Sequence, residues 1–269
     1  MILIDMKEKI LSYLPAECPW GDTLYWYSQV DSTNTQAKKL AKQGMPQGTV
    51  LVAGNQSAGR GRMGRTFQSP DGQGVYLSVI LRPNCAPTEL MHLTCAVGVA
   101  MVNAVEKVCG IRPQVKWIND LVIGSKKLGG ILTEMSLANG LIDYAVVGIG
   151  INCLQEKENF PAEIADLATS LSMACSKTIS PQQLAAAMIY ELYAMAQTLL
   201  TEKEHWMTAY KANCITLGKD IQVIRSDCVL PGKALDIDAD GGLVVQYADG
   251  SIQTVSSGEV SVRGMYGYI

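Results

Sequence analysis

The run of residues 144–152, Tyr-Ala-Val-Val-Gly-Ile-Gly-Ile-Asn, constrains the fold more than any other stretch of this chain. It is apolar almost throughout and rich in β-branched residues, which predicts a strand. Such a strand has no polar side to turn toward water, so we expect protein to cover both of its faces. The rest of the chain must therefore supply the elements that lie on either side of it.

Two long helices are predicted from periodicity and capping residues. Apolar residues recur at a period near 3.6 within 88–109, and Gly110 follows as a stop signal, which predicts an amphipathic helix there. Ser180, Pro181 and Gln183 stand in the order of a capping box and open a helix that runs to about residue 200. Shorter helices are predicted at 5–14 and 35–43, strands at 24–30, 48–54, 75–81, 115–123 and 130–136, and a turn at 124–127.

The pattern of apolar and turn-forming residues changes after Gly218. Short alternating runs at 221–224, 243–247 and 252–255 are separated by turn-forming residues such as Pro231-Gly232 and Asp249-Gly250. Strands this short, with such turns between them, predict a small β-barrel. The expected organisation is an N-terminal extension at 1–23, a mixed α/β (α+β) domain at 24–214 and a β-barrel domain at 218–269.

Composition narrows the classes of function. The 269 residues carry 22 basic and 25 acidic side chains, a formal net charge of −3, so no general attraction to nucleic acid or to an anionic membrane is expected. No segment approaches the roughly 18 uninterrupted apolar residues of a spanning helix, and the N-terminus lacks the pattern of a signal peptide. The eight cysteines contain no Cys-x-x-Cys pair and predict core thiols in a cytoplasmic protein. The two histidines, His92 and His205, are expected at the surface.

Residues 57–74 are rich in glycine, arginine and serine, and their centre reads Gly-Arg-Gly-Arg-Met-Gly-Arg at 59–65. Glycine lets a ligand approach the backbone closely, and guanidinium groups suit phosphate or carboxylate, so this segment is a candidate anion site. Other interpretations are a solvated flexible loop, a dinucleotide fingerprint in the glycine spacing, and an arginine-rich reader of the DNA minor groove. The turn-rich residues 65–74 cannot open the helix that the fingerprint requires, and the acidic composition disfavours DNA.

The same loop resembles the glycine and arginine signature of the biotin protein ligases. Further stretches resemble that family's motifs in the family's order: Ser32-Thr33-Asn34, Gln56, Lys116-Trp117-Ile118-Asn119-Asp120, 127–132, 148–152 and the C-terminal 258–263. The likeness spans roughly residues 24–264. It implies a biotin/lipoate ligase-like sheet with helices, followed by an SH3-like β-barrel.

The resemblance implies an ATP-dependent biotin protein ligase. The enzyme would form biotinyl-5'-AMP from biotin and ATP, and would then transfer biotin to a lysine of a biotin carboxyl carrier protein. Both steps bring anions together, so neutralisation and alignment are the main tasks of such a site. Arg62 and Lys127 would be its catalytic residues, with Lys127 neutralising charge between the biotin carboxylate and the α-phosphate.

The resemblance also names the residues on the biotin side of the site. Ser32, Thr33 and Gln56 would hydrogen-bond the ureido ring. The remaining biotin-binding residues would be Asn34, Gly59, Arg60, Gly61, Arg62 and Lys127. A structural alternative for Ser32-Thr33-Asn34 is an ordinary N-cap of the helix at 35–43, and both roles are compatible.

On the nucleotide side, the resemblance implies Arg60, Arg62, Arg65, Phe67, Lys116, Asn119, Asp120 and Asn152. Phe67 would stack near the adenine, and Asp120 would contact, directly or through water, the Mg²⁺ that accompanies ATP. We expect Asn119 and Asp120 at the end of a strand and Lys127 in a turn. The alternatives are a structural turn aspartate at 120 and a partner for strand-end backbone groups at 152.

Two positions depart from the family's pattern. Ile118 replaces the usual proline, and Phe67 stands where many relatives have tryptophan, which predicts weaker stacking. Some relatives also carry an N-terminal helix-turn-helix domain, which needs roughly 50 or more residues. Only about 25 residues precede the first matching strand here, so we expect a ligase without operator binding. Dimerisation is expected to use strand edges near 140–150.

Overall fold

The computed structural model describes residues 5–175, 177–225, 228–256 and 261–264, so the C-terminal motif at 258–263 lies partly outside the described residues. The helices are α1 (Met6–Leu11), α2 (Thr33–Lys42), α3 (Leu93–Cys109), α4 (Leu171–Ala174), α5 (Pro181–Thr198) and α6 (Lys203–Asn213). The strands are β1 (Leu24–Val30), β2 (Val50–Gln56), β3 (Gly74–Leu81), β4 (Gln114–Lys116), β5 (Asp120–Ile123), β6 (Lys126–Ala138), β7 (Leu141–Asn152), β8 (Asp220–Arg225), β9 (Cys228–Ile237), β10 (Leu243–Tyr247), β11 (Ile252–Val255) and β12 (Ser261–Gly264).

Seven of the described strands form one mixed sheet in the order β1-β2-β3-β7-β6-β5-β4. Strands β1 and β2 run parallel, and every other neighbouring pair is antiparallel. The other five described strands form an antiparallel sheet in the order β11-β10-β9-β8-β12. The predicted fold class, a mixed sheet with helices followed by a small all-β unit, is confirmed. The described pairings leave the second sheet open between β11 and β12.

Protein covers both faces of β7, as its apolar sequence predicts. On one face, Val147 and Ile151 belong to the large core that also contains α3 and α5. On the other face, Tyr144 and Val146 pack in a second cluster with α2. The apolar positions on that second face stop at Val146, because the next two residues on it are glycines. The sheet surface is therefore open beyond the start of α2.

Helix α3 is the central core helix. It follows a 3-10 turn at Pro87–Leu90, so the α-helix begins later than the predicted residue 88. Among the described residues, Pro87–Cys109 is the one helical stretch that could cross a bilayer by length and composition, and 72% of its most apolar window is buried inside the protein. Burial of this kind is what an apolar core helix requires.

The single strand predicted at 115–123 is wrong. The chain forms two short strands instead, β4 and β5, which pair antiparallel with Lys116 opposite Asp120. The three residues between them make the reversal, and the peptide bond from Trp117 to Ile118 is cis. The apolar run looked continuous because both sides of this reversal are buried, and burial does not distinguish a straight strand from a folded one.

Two further expectations about strands are wrong. Pro231-Gly232 does not form a turn but lies within β9, where pairing with both β8 and β10 overrides the local turn preference. A Cβ on Gly232 would lie 2.6 Å from Val245 Cγ1, so close strand packing accounts for this glycine. Free strand edges were expected near 140–150, but residues 145–152 pair with β3 on one side and β6 on the other. Dimerisation itself stays a prediction.

Buried thiols are confirmed, whereas one histidine is not where it was expected. Six of the eight cysteines are buried and none forms a disulfide. His205 is exposed as predicted, but His92 is fully buried, and its Nε2 lies 2.8 Å from the carbonyl oxygen of Leu199. This histidine follows a 3-10 turn that packs against the C-terminal end of α5. The local sequence carries no sign of this contact.

The cap of α5 provides a test of the fold. Ser180 Oγ accepts a hydrogen bond from the Gln183 N–H at 3.2 Å, as the capping sequence predicts. Ser180→Ala removes this acceptor, and we expect the free energy of unfolding to fall by about 1 kcal/mol in urea titrations. Ser12→Ala removes only an exposed hydroxyl near the end of α1 and should change it by less than about 0.5 kcal/mol. Equal losses in the two variants would contradict the capping role.

Candidate active site

A cavity of about 580 Å³ lies on the α2 face of the large sheet. It is bounded by the start of α2, the arginine loop, the β4–β5 reversal and strands β6 and β7. Thirteen of the residues predicted from the sequence line it: Ser32, Thr33, Asn34, Gln56, Arg60, Gly61, Arg62, Arg65, Phe67, Lys116, Asn119, Asp120 and Lys127. The structure thus brings together residues that are up to 95 positions apart in the chain.

Two predicted residues, Gly59 and Asn152, lie outside this lining. Gly59 is buried at the base of the arginine loop. Asn152 is also buried, and its amide donates to the carbonyl oxygen of Thr169 at 3.0 Å and accepts from Gln155 at 3.2 Å. These contacts fit the structural alternative for Asn152, that of a partner for backbone groups beyond the strand.

The start of α2 presents its polar residues to the cavity. Ser32 is the N-cap, but its hydroxyl makes no capping hydrogen bond, and the residue is almost fully buried. The backbone N–H and the hydroxyl of Thr33 both approach Gln56 Oε1, at 2.8 and 3.1 Å. Gln56 Nε2 in turn donates to Ser69 Oγ at 2.9 Å. The helix start, the end of β2 and the loop beyond it are therefore joined through one glutamine side chain.

Asn34 is held from two sides by residues that sequence reasoning missed. Its amide nitrogen donates to Glu134 Oε2 at 3.1 Å, and its amide oxygen lies 2.6 Å from the hydroxyl of Ser78. A Cβ on Gly148 would lie only 1.9 Å from Asn34 Oδ1, so this position of β7 must be glycine for Asn34 to occupy its place. The sequence signal for Glu134 was its position two residues beyond the 127–132 motif.

Glu134 carries negative charge behind Asn34, outside the lining of the cavity. Burial acts to raise its pKa, but hydrogen bonds from Lys38, at 2.8 Å, and from Asn34 outweigh burial, and the pKa lies below its ordinary value. Arg60 Nη1 lies 3.6 Å from Glu134 Oε1. One carboxylate therefore connects β6, α2 and the arginine loop.

The arginine loop folds back on itself as a narrow turn. Phe67 N–H donates to the Gly59 carbonyl at 3.0 Å, and Gly61 N–H donates to the Arg65 carbonyl at 2.7 Å. A Cβ on Gly59 would lie 2.4 Å from the Phe67 carbonyl oxygen, so glycine is needed for the two arms to close. No helix follows the loop, and β3 begins at Gly74. The dinucleotide-binding interpretation is therefore excluded by the geometry.

Arg62 points from this loop to the β4–β5 reversal. Its Nη1 donates to Asn119 Oδ1 at 3.0 Å. Burial lowers the pKa of Arg62, but a guanidinium remains charged across the physiological range. Asn119 is itself fixed, because its Nδ2 donates to the Ile131 carbonyl at 2.9 Å and its carbonyl accepts from the Ile131 N–H at 2.9 Å. The guanidinium is thus placed by an amide that β6 holds in position.

Lys127 and Asp120 form an ion pair across β5 and β6, with 2.7 Å between Nζ and Oδ1. The expected positions of both residues are wrong: Asp120 opens β5 rather than ending a strand, and Lys127 is the second residue of β6 rather than part of a turn. The turn is shorter than predicted because pairing continues to Ile123 and Lys126. Backbone hydrogen bonds with Leu167 and Thr169, both 2.8 Å, hold Lys127 from the other side.

Phe67 and Trp117 supply the aromatic surface of the cavity. The ring of Phe67 packs on β7, where a Cβ on Gly150 would lie 2.4 Å from Phe67 Cε1. The Phe67 ring also contacts the Tyr76 ring edge-on, with 6.4 Å between the ring centroids. Trp117 is 5% exposed and was not singled out by sequence reasoning, although it lies inside a motif that was. The two rings belong to different walls, the arginine loop and the β4–β5 reversal.

The side chains that line the cavity carry an excess of positive charge. Five cationic side chains line it, those of Arg60, Arg62, Arg65, Lys116 and Lys127, against the single carboxylate of Asp120. No cysteine or histidine is among its lining residues, and elsewhere burial raises the pKa of the Cys95 and Cys153 thiols. The site can therefore act through fixed positive charge rather than through a covalent nucleophile.

Comparison with known proteins identifies the family. A model of the biotin/lipoate A/B protein ligase family matches residues 26–152, and a model of the biotin protein ligase C terminal domain matches residues 216–263. The bifunctional ligase/repressor BirA of Bacillus subtilis is 34% identical over 246 residues, which are 90% of this chain and 74% of that protein. The biotin–[acetyl-CoA-carboxylase] ligase of Mycobacterium tuberculosis is 30% identical over 239 residues, 87% of this chain and 86% of that protein.

Solved structures give the same result. A biotin protein ligase from Aquifex aeolicus, in complex with biotin and ATP, superposes with a TM-score of 0.76 at 30% identity, over 90% of this chain and 99% of that one. A biotin protein ligase from Leishmania major, in complex with biotinyl-5-AMP, superposes with a TM-score of 0.59 at 26% identity, over 87% of this chain and 98% of that one. With both domains matched and the cavity assembled from the motif residues, this chain belongs to the biotin/lipoate A/B protein ligase family and, within it, to the biotin protein ligases.

Proposed function

We propose that this enzyme is an ATP-dependent biotin protein ligase that acts in two steps. In the first, a carboxylate oxygen of biotin attacks the α-phosphorus of ATP, the bond to the bridging oxygen breaks, and pyrophosphate leaves. In the second, the amine of a carrier-protein lysine attacks the carbonyl carbon of biotinyl-5'-AMP, and AMP leaves as the amide forms. The relatives with bound biotin, ATP and biotinyl-5-AMP support this assignment.

The observation that carries the proposal is the division of one cavity into a polar end and a cationic end. Ser32, Thr33 and Gln56 form the polar end beside Asn34, whose amide donates to the Leu132 carbonyl at 3.3 Å. Arg62, bound to Asn119, and Lys127, bound to Asp120, form the cationic end. Strand β6 runs between them, and at about 3.3 Å per residue its lining residues from Lys127 to Leu132 extend for about 16 Å. That length suits an elongated ligand with a neutral polar head and an anionic group further along.

At the polar end, fixed hydrogen-bonding groups would recognise the ureido ring. The amide of Gln56 and the backbone and hydroxyl of Thr33 are already ordered by each other. Ser32 lines the cavity, and its hydroxyl is not used as a helix cap. Neutral donors and acceptors that are held in place lose little entropy on binding, so they favour a ligand of matching pattern.

At the cationic end, Arg62 and Lys127 would neutralise the carboxylate and the α-phosphate and hold them in line. Each cation is already positioned by a partner, Arg62 by Asn119 and Lys127 by Asp120. A preorganised charge needs little rearrangement as negative charge shifts between oxygens in the transition state. Arg60 and Arg65 stand on the same loop and would close over the phosphates.

The donors in the cavity fit a magnesium ion that arrives with ATP, rather than a resident metal. No group of three or more histidine, cysteine, aspartate or glutamate residues that could hold a metal ion occurs among the described residues. Mg²⁺ is commonly held by one or two carboxylates together with substrate phosphates. Asp120 is the carboxylate that would take this role, and the ion would supply further neutralisation of the phosphate charge.

For the second step, the partner would be a biotin carboxyl carrier protein of a biotin-dependent carboxylase. We also propose that the enzyme acts in the cytoplasm, which the unpaired cysteines support. The negative net charge supports a function without DNA or membrane binding.

The proposed reaction is tested by biotin-dependent exchange between pyrophosphate and ATP. We expect exchange with biotin and none with lipoate, because the matched polar groups are set for a ureido ring rather than a dithiolane. Transfer to a purified carrier domain should then follow on addition of that domain. Exchange supported by lipoate and not by biotin would overturn the assignment. A shift of duplex DNA at low salt without any exchange would favour the DNA-binding alternative.

The charged residues are tested by Arg62→Ala and Lys127→Ala. Loss of a preorganised charge should slow formation of the adenylate by more than about tenfold in single-turnover measurements. Lys126→Ala is the matched control, because this neighbouring lysine does not line the cavity. Rates of both variants within twofold of the control would count against the roles given to Arg62 and Lys127.

The two interpretations of Ser32 are separated by Ser32→Ala. Because its hydroxyl caps nothing, we expect the free energy of unfolding to change by less than about 0.5 kcal/mol, unlike that of Ser180→Ala. Biotin affinity, measured by calorimetry, should fall roughly threefold to tenfold for one lost hydrogen bond. A clear loss of stability with unchanged affinity would restore the purely structural interpretation.

A further inference from the structure

A buried hydrogen bond connects the active-site cavity to the C-terminal sheet. The indole N–H of Trp117 donates to the carbonyl oxygen of Gly241 at 2.9 Å. Trp117 lines the cavity, whereas Gly241 lies in the turn between β9 and β10, which we call the 238–242 turn. The two residues are 124 positions apart, so no local sequence preference accounts for their contact.

The 238–242 turn is shaped to present that carbonyl. Asp238 Oδ1 accepts the backbone N–H groups of Asp240 and Gly242, at 2.9 and 2.8 Å. Gly241 has a φ of +88°, and a Cβ there would lie 2.9 Å from Cys95 Sγ on α3. The turn therefore packs so closely against the first domain that only glycine fits at its tip.

The β4–β5 reversal that contains Trp117 is held by the later part of the chain at other points too. The Trp117 N–H donates to Thr216 Oγ1 at 2.9 Å, and the Tyr210 hydroxyl donates to the Ile118 carbonyl at 3.1 Å. The large sheet contributes the pairing of β4 with β5. Residues from α6 onward thus hold the Trp117 side of this reversal, whereas β6 holds its Asn119 side.

The two residues that follow this reversal hold the two cations of the site. Asn119 positions Arg62 at 3.0 Å, and Asp120 positions Lys127 at 2.7 Å. Any displacement of residue 117 is transmitted to them through two or three peptide units. Misplacing reacting groups by about 1 Å can cost on the order of a hundredfold in rate.

We propose that Trp117 and the 238–242 turn are positioning groups for the adenylation step, a role that rests on the proposed function. The C-terminal sheet supplies the carbonyl that fixes the indole, and the indole fixes the reversal that carries Asn119 and Asp120. The contact therefore governs the alignment of Arg62 and Lys127, whereas biotin recognition at the other end of the cavity does not depend on it.

The first test is Trp117→Phe, which keeps an aromatic ring and removes the N–H. We expect the single-turnover rate of adenylate formation at saturating biotin and ATP to fall about tenfold, with a clearly smaller change in the Kd for biotin. Trp206→Phe is the matched control: Trp206 is also buried, its indole N–H also donates a hydrogen bond, to Thr198 Oγ1 at 3.1 Å, and it does not line the cavity. The control should lose less than twofold in rate.

The second test acts from the other side of the contact and decides the matter if Trp117→Phe does not fold. Asp238→Ala removes the acceptor that shapes the turn, and we expect adenylation to slow severalfold with a smaller change in biotin affinity. Asp249→Ala removes the corresponding acceptor, for Ser251 N–H at 2.9 Å, from the β10–β11 turn and should leave the rate unchanged. Combining Trp117→Phe with Asp238→Ala should cost no more than Trp117→Phe alone, since both act through one contact.

The inference is overturned if Asp238→Ala adenylates as fast as Asp249→Ala, if Trp117→Phe matches Trp206→Phe, or if the losses in the double variant multiply. A loss of biotin affinity equal to the loss of rate would also overturn it, because a general disruption of the fold would be the cause. Wild-type enzyme that shows no biotin-dependent exchange would instead refute the proposed function itself.

Discussion

The antiparallel pairing of β6 with β7 is the constraint on which the site depends. It sets Gly130 opposite Gly150 and Ile131 opposite Ile149, so one face of the pair is apolar core and the other face opens into the cavity. Glycine is required here by packing: a Cβ on Gly129 would lie 2.4 Å from the Gly150 carbonyl oxygen. Glu134 stands opposite Val146 in the same pairing, whereas Lys127 lies on β6 before that pairing begins and stands opposite Val122 of β5.

The site is organised around charges that are held before any substrate is present. Arg62 is held by a neutral amide, whereas Lys127 and Arg60 are held by carboxylates. Carboxylate partners keep a cation in place and are exchangeable for the oxygens of a phosphate or of biotin. An enzyme that joins two anions benefits from this arrangement, because the cations need not be desolvated and collected during the reaction. In the positioning role proposed for it, the C-terminal sheet steadies the reversal from which Asn119 and Asp120 project.

Features that depend on neighbouring residues could be predicted from the sequence, whereas features that depend on distant contacts could not. The cap at Ser180, the two-sided burial of β7 and the glycine requirement in the arginine loop all follow from properties of neighbouring residues. The break between β4 and β5 was missed because an apolar run carries no sign of a chain reversal. Glu134 and Trp117 were missed as site residues because their partners, Asn34 and Gly241, lie about 100 or more residues away. His92 was misplaced for the same reason, since its partner Leu199 is 107 residues away.

Local sequence patterns were enough to predict the mixed fold with a small β unit behind it, an anionic ligand and, through motifs in register, the family. Periodicity, turn residues and charge are properties of short segments, and they survive without knowledge of the fold. Which side chains meet became visible only in the folded chain. It paired Lys127 with Asp120 and Arg62 with Asn119, left Asn152 outside the cavity lining, and joined Trp117 to the 238–242 turn. Those contacts depend on strand register and on the packing of the two sheets, and both are settled by burial and hydrogen bonding over the whole chain.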